Sequence, residues 1–284
     1  MNVETDFSDR YGPWAVIAGA SDGIGAAYAR RMAGRGINVV LLARRQEMLD
    51  DLATAVRGQF GVQALPIAID LAEDGAAAAV IAATSDLEVG MVMYCAGADP
   101  NYEPFLDNPA EFGVSLVKRN CIVPLELCHH FAGPMVARGR GGIVVVGSAA
   151  GLVGMINMVA YGATKAFDIV LAEALWAELH DKGVDVLGLV IGATDTPALR
   201  RLLVKRGQLA NADDTTPLPG IVTADETADE AIANLTNGPT WFVGEEVREQ
   251  MGLLYTISRS DAVRMVIEYG GGNMAQIGAD KVPA

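Results

Sequence analysis

Two kinds of apolar pattern alternate along the chain. Short runs that are apolar at nearly every position occur at residues 14–18, 39–43, 64–69, 89–96, 143–147, 184–191 and 240–243. Unbroken runs of that length predict strands covered on both faces, as in a parallel sheet. Between them, residues 25–35, 45–59, 73–84, 109–138 and 159–182 carry helical spacing. Strands alternating with helices predict right-handed crossovers and helices on both faces of one sheet: a three-layer, doubly wound α/β architecture.

Two regions break this rhythm. Residues 194–222 hold three prolines, several charges and scattered leucines (Leu199, Leu202, Leu203, Leu218), and read as a lid over a pocket. Thr223 and Glu226 form a capping-box pattern, which predicts a helix running toward Asn237-Gly238-Pro239. Beyond Gly244 one more helix is expected, at 260–269, before three successive glycines starting at Gly270. No shift in composition divides the chain. The expectation is a single domain over residues 1–245, with the lid at about 194–222 and an extension, 246–284, packed on the same domain.

Composition narrows the class. The 284 residues are 51% hydrophobic and 20% charged, which suits a large globular core. A net charge of −14 argues against nucleic acid and anionic membrane surfaces as partners. No 18-residue apolar stretch predicts a membrane span, and the polar, acidic first residues do not resemble a signal peptide. The expected location is the cytoplasm. Three cysteines (Cys95, Cys121, Cys128) without framework spacing read as reduced core thiols. His129 and His130 beside Cys128 complete no metal set, so no metal is expected.

The first strand runs into Gly19, Ala20, Ser21, Asp22, Gly23, Ile24 and Gly25, followed by a helix. Glycines there let backbone approach a pyrophosphate, and the helix N-terminus supplies free N–H groups and a positive dipole end. A Rossmann-type unit that binds NAD usually ends its second strand in a carboxylate that holds the ribose 2′-hydroxyl. Here Ala43 is followed by Arg44 and Arg45. A carboxylate would repel a 2′-phosphate, whereas an arginine pairs with it, so the pattern favours NADP(H). Ser21 adds a hydroxyl. The third strand ends at Asp70-Leu71, where Asp70 either reaches an adenine amino group, with Leu71 beside the ring, or caps the next helix.

Ser148, Tyr161 and Lys165 stand out in an apolar stretch. Tyr161 and Lys165 are four residues apart, on one face of a predicted helix. An ammonium about 4–6 Å from a phenol favours the phenolate by roughly 3–4 kcal/mol at an effective dielectric of about 20, enough to bring a group that titrates near 10 toward neutrality. Ser148 follows the strand at 143–147 directly, at the carboxyl end where open parallel sheets bind ligands.

Taken together, Gly19-x-x-x-Gly23-x-Gly25, Asn120, Ser148, Tyr161 and Lys165, in this order and spacing, resemble the short-chain dehydrogenase/reductase family over about residues 12–245. The resemblance implies a nicotinamide cofactor and hydride transfer at a carbonyl or alcohol carbon. It makes Tyr161 the general acid/base and Ser148 the group that holds the substrate oxygen. Lys165 would bind the nicotinamide ribose and favour the phenolate of Tyr161. Asn120 would hold a water that relays protons to Lys165. It also implies that Ala96 and Gly97 approach the cofactor closely. Gly192 and Thr194, in Ile191-Gly192-Ala193-Thr194, would stand for a Pro-Gly segment near the carboxamide. Two positions depart from the family pattern: Tyr94-Cys95-Ala96-Gly97 replaces Asn-Asn-Ala-Gly, and Ile191 replaces proline.

The expected activity is therefore NADPH-dependent reduction of a largely apolar ketone or aldehyde: a lipid, a steroid-like compound or a 3-oxoacyl compound. Residues 151–159 would line the pocket. An acyl-carrier partner would need a basic rim, for which Arg119, Arg138 and Arg140 are candidates, although they also read as solvated charges. Two other readings use the same residues: an NAD-linked alcohol dehydrogenase, and a catalytically silent cofactor-binding sensor. The long helices at 109–138 and 159–182 match those that pair members of the family into homodimers and homotetramers.

Overall fold

The computed structural model describes residues 3–270. Seven parallel strands form one sheet: β1 (Trp14–Ala18), β2 (Asn38–Ala43), β3 (Ala64–Ala68), β4 (Val89–Tyr94), β5 (Gly141–Ser148), β6 (Val184–Ile191) and β9 (Thr240–Phe242). Their order is β3-β2-β1-β4-β5-β6-β9. A short parallel pair outside this sheet joins β7 (Thr194–Asp195) to β8 (Val222–Thr223).

Successive residues of each strand face opposite sides, and the two sides bury separate cores. Ile17, Leu41, Met93 and Val146 pack under α2 (Gly23–Ala33), α3 (Gln46–Phe60) and α9 (Ala224–Ala233). Val16, Val40, Val92 and Val145 pack under α4 (Ala76–Ala83), α6 (Val123–Arg138) and α7 (Val159–Leu179). This double burial is why the strands read as unbroken apolar runs. The strand order reverses between β1 and β4, and ligands of open parallel sheets bind in the crevice outside the carboxyl ends at such a point.

The helix expected at 109–138 is three pieces in continuous contact. They are α5 (Ala110–Val117), a π-turn (Lys118–Ile122) and α6. Pro124 has no N–H to donate to the Asn120 carbonyl four residues back, so one regular α-helical bond is missing at this turn.

Three helices lie where none was expected: α1 (Val3–Tyr11), α8 (Pro197–Lys205) and α10 (Glu245–Leu254). Pro197 at the first turn and Thr196 as cap start α8 inside the proline-bearing segment that had read as irregular. Helix α11 (Arg259–Gly270) matches the helix expected at 260–269, and the glycines after Gly270 lie outside the described residues. Among the described residues no helix is long and apolar enough to cross a membrane.

Candidate active site

The turn after β1 is drawn tightly together. The Gly19 and Ala20 N–H groups both donate to the Leu42 carbonyl, at 2.8 and 3.0 Å. Gly19 has φ +82, and a Cβ on Gly25 would lie 2.2 Å from the Gly19 oxygen. Only glycine fits either place. Asp22 occupies the cap position of α2, but no side chain caps that helix. The Asp22 carboxylate instead pairs with Arg45 at 2.6 Å and with Arg201 of α8 at 3.2 Å. Arg45 also donates to Ser21 Oγ at 3.0 Å. Arg44 is exposed beside this cluster. Asp70 uses one carboxylate oxygen to accept from the Ala72 N–H at 3.0 Å, so it does serve the following turn. Leu71 is buried.

Ser148 ends β5, and its Oγ accepts from the Ala150 N–H at 3.2 Å, which leaves its own proton free to donate. The chain then folds a 3-10 turn (Ala149–Gly151) directly onto α7. A Cβ on Gly151 would lie 2.5 Å from the Lys165 carbonyl carbon, and one on Gly162 would lie 2.8 Å from the Ala150 oxygen. These contacts hold Ser148 against the first turns of α7, which carry Tyr161 and Lys165.

Lys165 is buried, with Nζ donating to the Val146 carbonyl at 2.7 Å and to Asp168 Oδ2 at 2.9 Å. The ammonium stands 5.9 Å from the Tyr161 ring centroid. Burial works against the Lys165 charge, but Asp168 and Tyr161 outweigh it and hold the ammonium above the ordinary lysine range.

Asn120, in the π-turn, is fully buried. Its Nδ2 donates to Thr164 Oγ1 at 2.8 Å and to the Gly97 carbonyl at 3.3 Å. Gly97 closes this group: at φ +138, a Cβ there would lie 2.9 Å from Asn120 Oδ1 and 3.1 Å from Lys165 Nζ. Ala96 packs against the core beside it. Beyond β6, Thr194 is buried with its hydroxyl 3.4 Å from the Gly192 carbonyl, and a Cβ on Gly192 would lie 3.0 Å from Val247 of α10.

A small apolar cluster adjoins Tyr161. Tyr102, Ala150 and Met158 form its centre, with Met155 and Leu202 against them. Leu202 belongs to α8, which two further contacts pin over the cluster: Lys205 pairs with Glu103 at 2.9 Å, and Arg206 lies 4.4 Å over the Tyr102 ring. The sequence at 194–222, 98–104 and 151–159 thus meets in one place.

The model of one protein family, described as short chain dehydrogenase, matches residues 13–206. The chain belongs to the short-chain dehydrogenase family. Among its relatives is a 7beta-hydroxysteroid dehydrogenase of Collinsella aerofaciens, 35% identical over 191 residues, which are 67% of this chain and 72% of the relative. A solved 7beta-hydroxysteroid dehydrogenase structure superposes with a TM-score of 0.81 at 29% identity, over 91% of this chain and 98% of that one. A short-chain dehydrogenase from Sphingobium yanoikuyae in complex with NADPH gives 0.73 at 30% identity, over 90% and 95%.

Within this short-chain dehydrogenase, the structure gathers the residues expected from sequence at one end of the sheet. The exception is the basic rim. Arg138 donates to the Val89 carbonyl at the start of β4, and Arg140 pairs with Glu88 at 2.6 Å. Both lie at the amino ends of the strands, away from the crevice. Arg119 is nearer, but its guanidinium donates inward to the Ala98 carbonyl at 2.9 Å, and burial together with the charge of Arg44 holds it below the ordinary arginine range. Sequence reasoning also missed Asp168, Tyr102 and Arg201. Asp168 stands three residues after Lys165, a spacing that reads as an ordinary exposed helix pair. Tyr102 and Arg201 carry no pattern at all until α8 folds into place.

Proposed function

We propose that this short-chain dehydrogenase is an NADPH-dependent reductase of apolar ketones or aldehydes. The observation that carries the proposal is the placing of Ser148, Tyr161, Lys165 and Asn120 side by side at the strand ends, with an apolar cluster on one flank and an uncapped helix N-terminus on the other.

Nicotinamide cofactors serve this family, and the residues present fit one. The α2 amides have no side-chain acceptor, and the glycine turn leaves no room for a Cβ at Gly25. Ser21, Gly23, Ile24 and Gly25 would hold the pyrophosphate. Arg44 and Arg45 would meet the 2′-phosphate, for which Arg45 must loosen its pair with Asp22. Asp70, Leu71, Ala96 and Gly97 would border the adenosine side. Lys165 would reach the ribose, and Gly192 and Thr194 the carboxamide. When bound, the cofactor supplies the hydride for the carbonyl carbon.

The protein's own groups handle the oxygen. Ser148 donates its hydroxyl proton in a hydrogen bond that holds the carbonyl oxygen and eases its developing charge. Tyr161 gives its phenolic proton to that oxygen as the C–O double bond becomes single. Lys165 stabilises the phenolate left behind. Asn120 anchors the first turns of α7 through Thr164 and would place the water that returns a proton by way of Lys165. The cluster around Tyr102 and Met158 excludes solvent from the reacting carbon.

Residues 194–222 act as the lid, and the segment after Gly244 packs on the same domain through Val247. A steroid-like or 3-oxoacyl substrate suits the apolar cluster, and the relatives named for a hydroxysteroid activity support the first. The reading places the enzyme in the cytoplasm as a homodimer or homotetramer.

The first test is tryptophan-fluorescence titration with NADPH and with NADH, on wild type, Arg44→Ala and Tyr161→Phe. NADPH should bind at least tenfold tighter, Arg44→Ala should erase most of that gap, and Tyr161→Phe should bind cofactor normally while losing turnover of a hydrophobic ketone by about a thousandfold or more. Equal binding of NADH would point instead to an NAD-linked alcohol dehydrogenase. Full turnover in Tyr161→Phe would remove the assignment of the acid.

A further inference from the structure

Asp168 is the least explicable residue of the site in terms of the chemistry above. It is 1% exposed, beneath the ammonium that serves the reaction. One carboxylate oxygen accepts from Lys165 Nζ at 2.9 Å. The other, Oδ1, has no hydrogen-bond partner. A buried carboxylate with one unsatisfied oxygen is costly, and three residues C-terminal to a lysine an apolar side chain would pack without that cost. Lys165 is the cation that pairs with it. On its own helix are Lys165 and Tyr161. From β4 comes Tyr94, from the π-turn Cys121 and from α6 Cys128, while Cys95 and Arg119 act on Lys165. Burial raises the Tyr94 phenol and pushes the Cys128 thiol up to about 12, and Asp168 adds to both, so neither sets a second negative charge beside it near neutral pH.

We propose that Asp168 is a positioning residue that holds Lys165 in its working place and offsets part of its charge, so that it sets the pH at which Tyr161 exchanges its proton. An ammonium has three N–H donors. The Val146 carbonyl and Asp168 take two of them from behind. Lys165 is left with one, so its reach toward a ribose hydroxyl and toward Tyr161 is directional. The charge argument runs the same way. The field at the Tyr161 oxygen is that of an ammonium with a carboxylate close behind it. The carboxylate opposes the negative charge that the phenol oxygen carries while it lacks its proton. A bare ammonium would favour that state over a lower pH range.

This inference rests on the roles given above to Tyr161 and Lys165, and the experiment separates the two. The protein is prepared with 13C at tyrosine Cζ, whose shift reports phenol ionisation, and the Tyr161 resonance is assigned from its loss in Tyr161→Phe. Asp168→Asn keeps shape and one acceptor while removing the charge, and Asp168→Val checks that any effect is not peculiar to the amide. The titration midpoint of Tyr161 should fall in both variants. NADPH affinity by fluorescence should drop several-fold in Asp168→Val, where Lys165 loses its rear anchor, and less in Asp168→Asn. An unmoved or raised midpoint in folded Asp168→Asn, or a Tyr161 that titrates in neither protein before unfolding, overturns the inference. Full turnover in Tyr161→Phe would instead overturn the reading it rests on.

Discussion

Gly97 shows how little room the site allows a single residue. Its Cα faces Asn120 and Lys165 at once, at a backbone angle that side chains rarely adopt. Gly97→Ala should therefore shift the Asn120 and Lys165 side chains even if the fold survives. The expected result is a drop in kcat of about a hundredfold, the scale of an ångström-sized misplacement, with NADPH affinity also weakened; steady-state kinetics beside fluorescence titration would check it. Most of the groups proposed to react were legible from sequence because their order and spacing are rigid. Asp168 and Tyr102 were not. A carboxylate at i+3 from a lysine has the same spelling on a wet helix face and in a dry core, and only the packing of α7 against β5 and β6 decides between them.

At the scale of elements, the segment at 194–222 depends on a few charged contacts that the sequence does not pair. Arg200 grips Asp195 with two hydrogen bonds of 2.6 Å and also donates to the Asp214 and Thr216 carbonyls. It thereby ties α8, β7 and the loop at 206–216 together. In Arg200→Met the loop should open: amide exchange over residues 206–216 should quicken at least tenfold, and KM for substrate should rise more than kcat falls. Helix α9 illustrates the opposite case, a device fully written in the sequence. Thr223 Oγ1 accepts from the Glu226 N–H at 3.2 Å, and Glu226 accepts from the Thr223 N–H at 2.9 Å. These bonds to Thr223 hold the Glu226 carboxyl below its ordinary range. A depressed carboxylate contributes stability above its unfolded value, near 4.3, and that contribution disappears as pH falls through the folded value. Glu226→Gln should thus lower the melting temperature by roughly 1–3 °C at pH 7. The gap to wild type should close in melts carried out at pH 3.

For the whole molecule, one surface stands apart from the acidic remainder. Val114 and Val117 of α5, Leu125 of α6, and Val159 and Val170 of α7 are all exposed. Five aliphatic side chains on α5, α6 and α7, which flank the π-turn of Asn120 and carry Tyr161 and Lys165, suit a self-complementary interface about a two-fold axis. Val170→Asp should convert the protein to a monomer in size-exclusion chromatography with light scattering. Because α7 also carries the acid and the lysine, activity should fall along with assembly. A wild-type protein that runs as a monomer at micromolar concentration would overturn this expectation.

The sequence by itself determined the sheet, the glycine turn and the four polar groups to which the proposed reaction is assigned. Strands buried on both faces must be apolar at every position, glycines are forced where backbone closes on backbone, and Tyr161 and Lys165 are fixed four apart by the helical repeat. The π-turn was not read from sequence: Pro124, four residues after Asn120, removes one helical bond there, but Pro134 sits inside α6 without such a turn. The tertiary structure alone decided the rest. It set Arg138 and Arg140 at the wrong end of the strands for a substrate rim, brought Arg201 to Asp22 across 179 residues, and sealed Asp168 beneath Lys165. Such placements depend on contacts between segments far apart in the chain, where no local periodicity carries the information and the packing of whole elements supplies it.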